Sequence, residues 1–260
     1  MVKKELIILA RYPVQFVTSF AQVFIIIAVL SLAATMFSRD GQGGGTNTAG
    51  LVTYGFILFI FLSDTLWTIG VNVRQEQVQG TLEQLYMTPA SKFANLVSRV
   101  ANLLIWTGAV SIVSIFAMSA MLGDLPFENP GLGLFIFVMA LSGTFGVGFA
   151  FAALTLRIQE TAQTLANLIQ FAFLILCANF FPFSALPEPI LAISRIIPLS
   201  YAVDAFRSTL MGYPAGFPEL ALSNRIIIVT IFGLLMPIIG YWLYRIAENQ
   251  ARRSGSLAQY

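Results

Sequence analysis

The chain has 260 residues, 57% of them hydrophobic and 10% charged, with a mean hydropathy of +0.81 and a formal net charge of +2. A soluble domain is about 25% charged and under 50% apolar, so a fold of this length has no interior large enough to hide the surplus, and a bilayer is its natural solvent. The charge is too small for a nucleic-acid footprint, the absence of histidine removes the usual general base and metal ligand, and the lone Cys177 has neither a disulfide partner nor a metal partner.

In chain order, residues 2–12 read as an interfacial amphipathic helix with Lys3, Lys4 and Arg11 among anionic headgroups; a frayed basic terminus is the alternative. The apolar stretch before Arg11 is too short for a signal peptide, and no cleavage site of small residues follows it. Six later stretches are long enough to cross roughly 30 Å of hydrocarbon, near residues 14–37, 51–72, 97–122, 131–156, 164–182 and 225–246. Only helices satisfy every backbone group within one segment in lipid, and the period-two alternation of a barrel is missing. The expected fold is therefore one all-α membrane domain over residues 1–260 with six transmembrane helices. The Gly-rich stretch Gly41–Gly50 reads as a flexible linker.

The second span holds Asp64. A carboxylate there costs at least a few kcal/mol, so it must face protein or water. It is either a pathway residue or a structural acid paired with Asn102 or another span's polar group. The stretch after this span, Arg74 to Lys92, is the most informative. Gly80 ends one helix, Thr81 and Gln84 have capping-box spacing, Thr88-Pro89 stops the next helix, and Ser91 caps the one leading into span three. A short helix near residues 82–87 would then lie across the membrane surface, either as a lever for a partner or as a plain connection.

Gly143, Gly146 and Gly148 in span four permit close helix contact. Gln22, Asn102, Asn167, Gln170 and Asn179 act as interhelical glue, while Asn167 and Gln170, at i and i+3, share a face of span five that a wet pathway could use. The run Phe171, Phe173, Phe180, Phe181 and Phe183 suits either lipid contact or an amphipathic cargo. Residues 183–224 carry Pro187, Pro189, Pro198, Pro214 and Pro218, which exclude one continuous helix. Two short helices broken at Pro198, entering the outer leaflet and returning, are expected; a seventh span is the alternative. Lys and Arg divide ten to four between the two faces, which puts both termini in the cytoplasm.

The pattern Glu76-x-x-x-Gly80-Thr81-Leu82-Glu83-x-Leu85-x-x-Thr88-Pro89 resembles the cytoplasmic loop of ABC-2 type permeases, the membrane subunits of ATP-binding-cassette exporters. Pro198-Leu-Ser-Tyr201-Ala-Val-Asp204-Ala-Phe-Arg207 resembles the segment before the last span of the same family. The resemblance covers essentially the whole chain. It implies that Gly80–Thr88 is a coupling helix docking on a nucleotide-binding subunit, which the N-terminal helix also touches. It implies two permeases, as a homodimer or with a related permease, and two ATPase subunits that bind the ATP and Mg. The pathway would be lined by spans one, two and five, with Asp64, Asn167 and Gln170 as candidates. Residues 183–212, with Pro198, Tyr201, Asp204 and Arg207, look like the helices that close its outer end.

The lysines are Lys3, Lys4 and Lys92, and none follows a glycine, so no phosphate loop and no cofactor are expected in this chain. The implied role is a non-enzymatic export permease for drug-like or lipid-like amphipaths in the inner (plasma) membrane, contacting lipid and no nucleic acid. Lipid-linked polysaccharide export and an ion-coupled secondary transporter are the competing readings; the latter would want several buried ionisable groups and helices broken at the midplane.

Overall fold

The computed structural model describes residues 13–37, 45–71, 92–122, 127–158, 161–212 and 214–253. No strand occurs among them. The α-helices are α1 (Pro13–Phe37), α2 (Gly45–Thr65), α3 (Lys92–Leu122), α4 (Pro130–Ile158), α5 (Ala162–Leu176), α6 (Glu188–Ser194), α7 (Pro198–Met211) and α8 (Leu222–Arg253). α2 continues through a π-helical turn, Leu66–Val71.

Four segments are long and apolar enough to cross a membrane: Gly50–Val71, Arg99–Ala117, Pro130–Leu156 and Leu222–Gln250. Two apolar stretches are shorter, Val17–Leu30 within α1 and Ala162–Leu176 in α5. α6 and α7 form a pair bent by 95°, with Pro198 in the first turn of α7, where its missing N–H costs nothing. The expected break at Pro198 is therefore present.

Two expectations are corrected. The linker expected at Gly41–Gly50 is helical from Gly45 onward, because a helix is the cheapest way to satisfy backbone groups at a membrane boundary, even with glycine. The fifth span, expected over 164–182, ends at Leu176 and gives way to a turn in which Ala178 adopts a left-handed φ of 48°. The proposed helix over residues 2–12 lies outside the described residues.

α2 is apolar all round and is the buried centre, touching α1, α3, α4, α5 and α7. The closest partnership is α4 with α8, and glycine makes it possible. A Cβ on Gly240 would strike the Gly146 carbonyl, and one on Gly146 would strike the Met236–Pro237 backbone. The small residues expected to permit close contact do so here.

Pro237, inside α8, has no N–H, so the Gly233 carbonyl one turn earlier loses its usual donor. Lipid cannot replace it. Ser142 Oγ of α4 donates to Gly233 O at 2.7 Å, so the defect in one helix is corrected by the side chain of another. Ser142→Ala should therefore lower stability by about 1–2 kcal/mol, as for an orphaned buried acceptor. In a Pro237→Ala background, where the helix regains its own N–H, the same change should cost much less. Unfolding midpoints of the four proteins in one detergent check this; equal costs in both backgrounds would refute the pairing.

Candidate functional site

Two constellations of polar groups lie among these helices. The first is a cleft of about 820 Å³ between α1, α2, α3, α5 and the turn that follows α5. Its apolar walls include Ile26, Phe56, Phe59, Trp106, Phe171 and Phe180. Its polar lining includes Ser19 and Gln22 from α1, Ser63, Asp64 and Thr68 from α2, Asn102 and Thr107 from α3, and Gln170 from α5.

Asp64 accepts a hydrogen bond from Thr107 Oγ1 at Oδ2, 2.5 Å away. Of the two expected kinds of partner, the structure supplies another span's hydroxyl rather than Asn102, which lines the same cleft and is exposed. Just below, the π-helical turn widens α2. Thr65 Oγ1 folds back to Phe61 O at 2.6 Å, and Thr155 Oγ1 of α4 donates to Gly70 O at 3.2 Å. Trp67, within that turn, donates to Gln170 Oε1 at 3.1 Å, tying α2 to α5. Gln170 thus faces the cleft, whereas Asn167 is exposed and is not among the residues that line it. Phe171 and Phe180 line the cleft, but Phe183 is core, its ring packed at a tilt against Phe217.

The second constellation is built on α7. Pro198 opens that helix. Tyr201 Oη donates to Arg195 O at 2.7 Å, capping the end of α6, and Ser194 Oγ and Ser200 Oγ both donate to Leu176 O, at 2.5 and 3.3 Å, capping α5. Arg207, 3% exposed, spreads its guanidinium over the turn after α5: Nη1 donates to Ala178 O at 2.8 Å and Nη2 to Asn179 O at 2.5 Å. Its Nε reaches Leu51 O of α2 at 3.0 Å. The approach is open because residue 55 is glycine; a Cβ there would collide with the guanidinium and with Asn179 O. Asn179 Nδ2 donates to Phe173 O at 3.0 Å. Leu176 O and the carbonyls of the buried turn that follows α5 are thereby taken up one by one, as a helix break packed within the protein at membrane depth demands.

Asp204, one turn before Arg207, accepts from Gly216 N at 2.7 Å and pairs with Arg225 Nη1 of α8 at 2.7 Å; both side chains of the pair are 5% exposed. The broken helices are thus locked onto α2, α5 and α8. From the sequence Arg225 was one of the four outer-face cations, with no partner assigned, and Ser194 and Ser200 had no role. The signal that could have found Arg225 was the acid itself, since a buried Asp in an apolar segment requires a cation within reach.

The family comparison completes the picture. A family model described as ABC-2 family transporter protein matches residues 37–244. The chain belongs to the ABC-2 transporter family. No curated protein matches it. As an ABC-2 protein it is a multi-pass membrane component of a transport system, and membership implies an ATP-binding-cassette ATPase as partner in general. The expected coupling residues of this ABC-2 protein, Glu76, Gly80, Thr81, Leu82, Glu83, Leu85, Thr88 and Pro89, lie outside the described residues. Pro198, Tyr201, Asp204 and Arg207 stand together on α7: Pro198 opens it, Tyr201 and Arg207 bond to carbonyls at the broken ends, and Asp204 anchors it to α8.

Removing one member of the buried pair should be costly. Asp204→Asn should destabilise by about 3–5 kcal/mol, because Arg225 is left buried without its counter-charge, while Asp204→Leu combined with Arg225→Met should recover most of the loss. Arg207→Lys should also lower the unfolding midpoint, since a single ammonium cannot serve α2 and two carbonyls of the turn at once. Thermal unfolding in detergent reads both; an unchanged midpoint in Arg207→Lys would show that the fork carries no stability.

Proposed function

We propose that this chain is the permease subunit of an ATP-driven exporter and that the cleft around Asp64 is part of its translocation pathway. The observation that carries the reading is the Asp64–Thr107 hydrogen bond. It joins α2 to α3, the two helices that flank residues 72–91 in the chain. A partner gripping that connection displaces both helices at once, and the polar floor of the cleft goes with them. The π-helical turn lies on α2 between the two places, where a loosened helical register absorbs movement.

In this reading the six crossings are α1 to α5 and α8, and the α6–α7 pair closes the outer end. Residues 1–260 act as one transmembrane unit in the inner (plasma) membrane, with both termini cytoplasmic, as the ten-to-four division of Lys and Arg supports. Two permeases face each other across the pathway, and two ATPase subunits bind ATP and Mg and dock on Gly80–Thr88 with Glu76 and Pro89 at its edges. The N-terminal segment adds a second contact. The cargo is amphipathic, drug-like or lipid-like, because aromatic and polar groups alternate around one cleft.

Deleting Gly80–Thr88 should abolish co-purification of the ATPase subunit and its stimulation by the permease, while membrane insertion is retained. A deletion variant that still captures its ATPase in full would overturn the coupling assignment.

A further inference from the structure

The cleft holds an uncompensated sign of charge. Among the described residues, Asp64 is the one ionisable residue that lines it, and no lysine or arginine is among those lining it. One carboxylate oxygen takes the Thr107 hydroxyl, and no other hydrogen bond among the described residues engages the group. A carboxylate at membrane depth is stable when a cation or water meets it. Around it stand Phe56, Phe59, Trp106, Phe171 and Phe180, aromatic rings whose faces carry negative potential and can attract a cation, which an aliphatic wall does not. Phe56, Phe59 and Phe180 are held against one another with ring centroids 5.7–6.0 Å apart, so this aromatic wall is a fixed feature of the cleft. The amide and hydroxyl groups of Gln22, Ser63, Asn102 and Gln170 add dipoles but no balancing positive charge.

We infer that the cleft selects lipophilic monovalent cations, with Asp64 as the residue that sets the sign of charge it accepts. The inference rests on the pathway reading above and deepens it from "amphipath" to "cationic amphipath". An apolar body packs on the aromatic wall, and the positive centre lies at the free oxygen of Asp64. Thr107 fixes the carboxylate's orientation. Neutral molecules of equal bulk gain the wall but not the charge, and anions are repelled.

Binding to the full chain in lipid nanodiscs tests this, with empty nanodiscs as background. Three probes of similar bulk differ in charge: tetraphenylphosphonium, triphenylphosphine oxide and tetraphenylborate. The unaltered protein should bind the phosphonium at least about tenfold more tightly than the oxide and exclude the borate. Asp64→Asn keeps an acceptor for Thr107 and removes the charge. It should lose that tenfold preference while leaving the oxide unchanged, whereas Asp64→Glu should keep it. Gln22→Lys, on the α1 side of the same cleft, leaves Asp64 itself unchanged and should weaken phosphonium binding and admit the borate, so the inference remains testable even if Asp64→Asn does not fold. Equal binding of phosphonium and oxide by the unaltered protein, or undiminished phosphonium preference in Asp64→Asn, overturns it. Because binding is read without the ATPase, the two proposals fail separately. A protein that sorts probes by charge yet keeps its ATPase after loss of Gly80–Thr88 retains this inference and loses the coupling assignment. One that couples normally but ignores charge does the reverse.

Discussion

A helix that stops inside a membrane leaves carbonyls and amides with nowhere to turn, because hydrocarbon offers no hydrogen bonds. Much of this structure answers that demand. α5 stops at Leu176, and its loose carbonyls are collected by Ser194, Ser200 and above all Arg207. α8 is interrupted by Pro237, and Ser142 supplies the missing donor. Each cure comes from a different helix, so satisfying the backbone also fixes tertiary structure. Arg207 shows the economy of this. One buried guanidinium serves the turn after α5 and the first turns of α2, and it is carried on a helix that Asp204 anchors to α8 through Arg225. Arginine suits the post because its charge persists under burial and its fork presents several donors in one plane.

The result is a chain with two characters. α4, α7, α8 and the N-terminal part of α2 form a closely packed block, with glycines bringing backbones together and the Asp204–Arg225 ion pair buried between α7 and α8. α1, α3 and α5 meet α2 around an open cleft and turn large side chains outward, including Val17, Val29, Ile112, Phe116 and Leu168. A transporter needs such a division, since something must hold still while something else moves. Asp64–Thr107 and Trp67–Gln170 tie α3 and α5 to α2 through single hydrogen bonds. Such bonds contribute about 1 kcal/mol each in membranes and break readily when the helices shift.

The local signals in the chain were strong enough to be read directly. Composition named the solvent, and apolar runs located the helices with ends off by up to about seven residues, because in lipid an apolar run of twenty residues has one stable conformation. Pro198 marked the break between α6 and α7, and the glycines of α4 marked a close helix contact, each through a backbone property that travels with the residue. The loop motif and the α7 motif pointed to the family that the match over residues 37–244 shows.

Pairing was a matter for the tertiary structure. Nothing in the order of residues says that Asp64 meets Thr107 rather than Asn102, that Asp204 meets Arg225, or that Gln170 faces the cleft while Asn167 does not. Those outcomes depend on how helices far apart in sequence rotate against one another, and in a bilayer every rotation leaves an equally apolar surface toward lipid. Hydrophobicity therefore determined which segments are helices in this protein. Close packing and the need to satisfy each buried polar group decided which faces meet, and so where the cleft and its carboxylate lie.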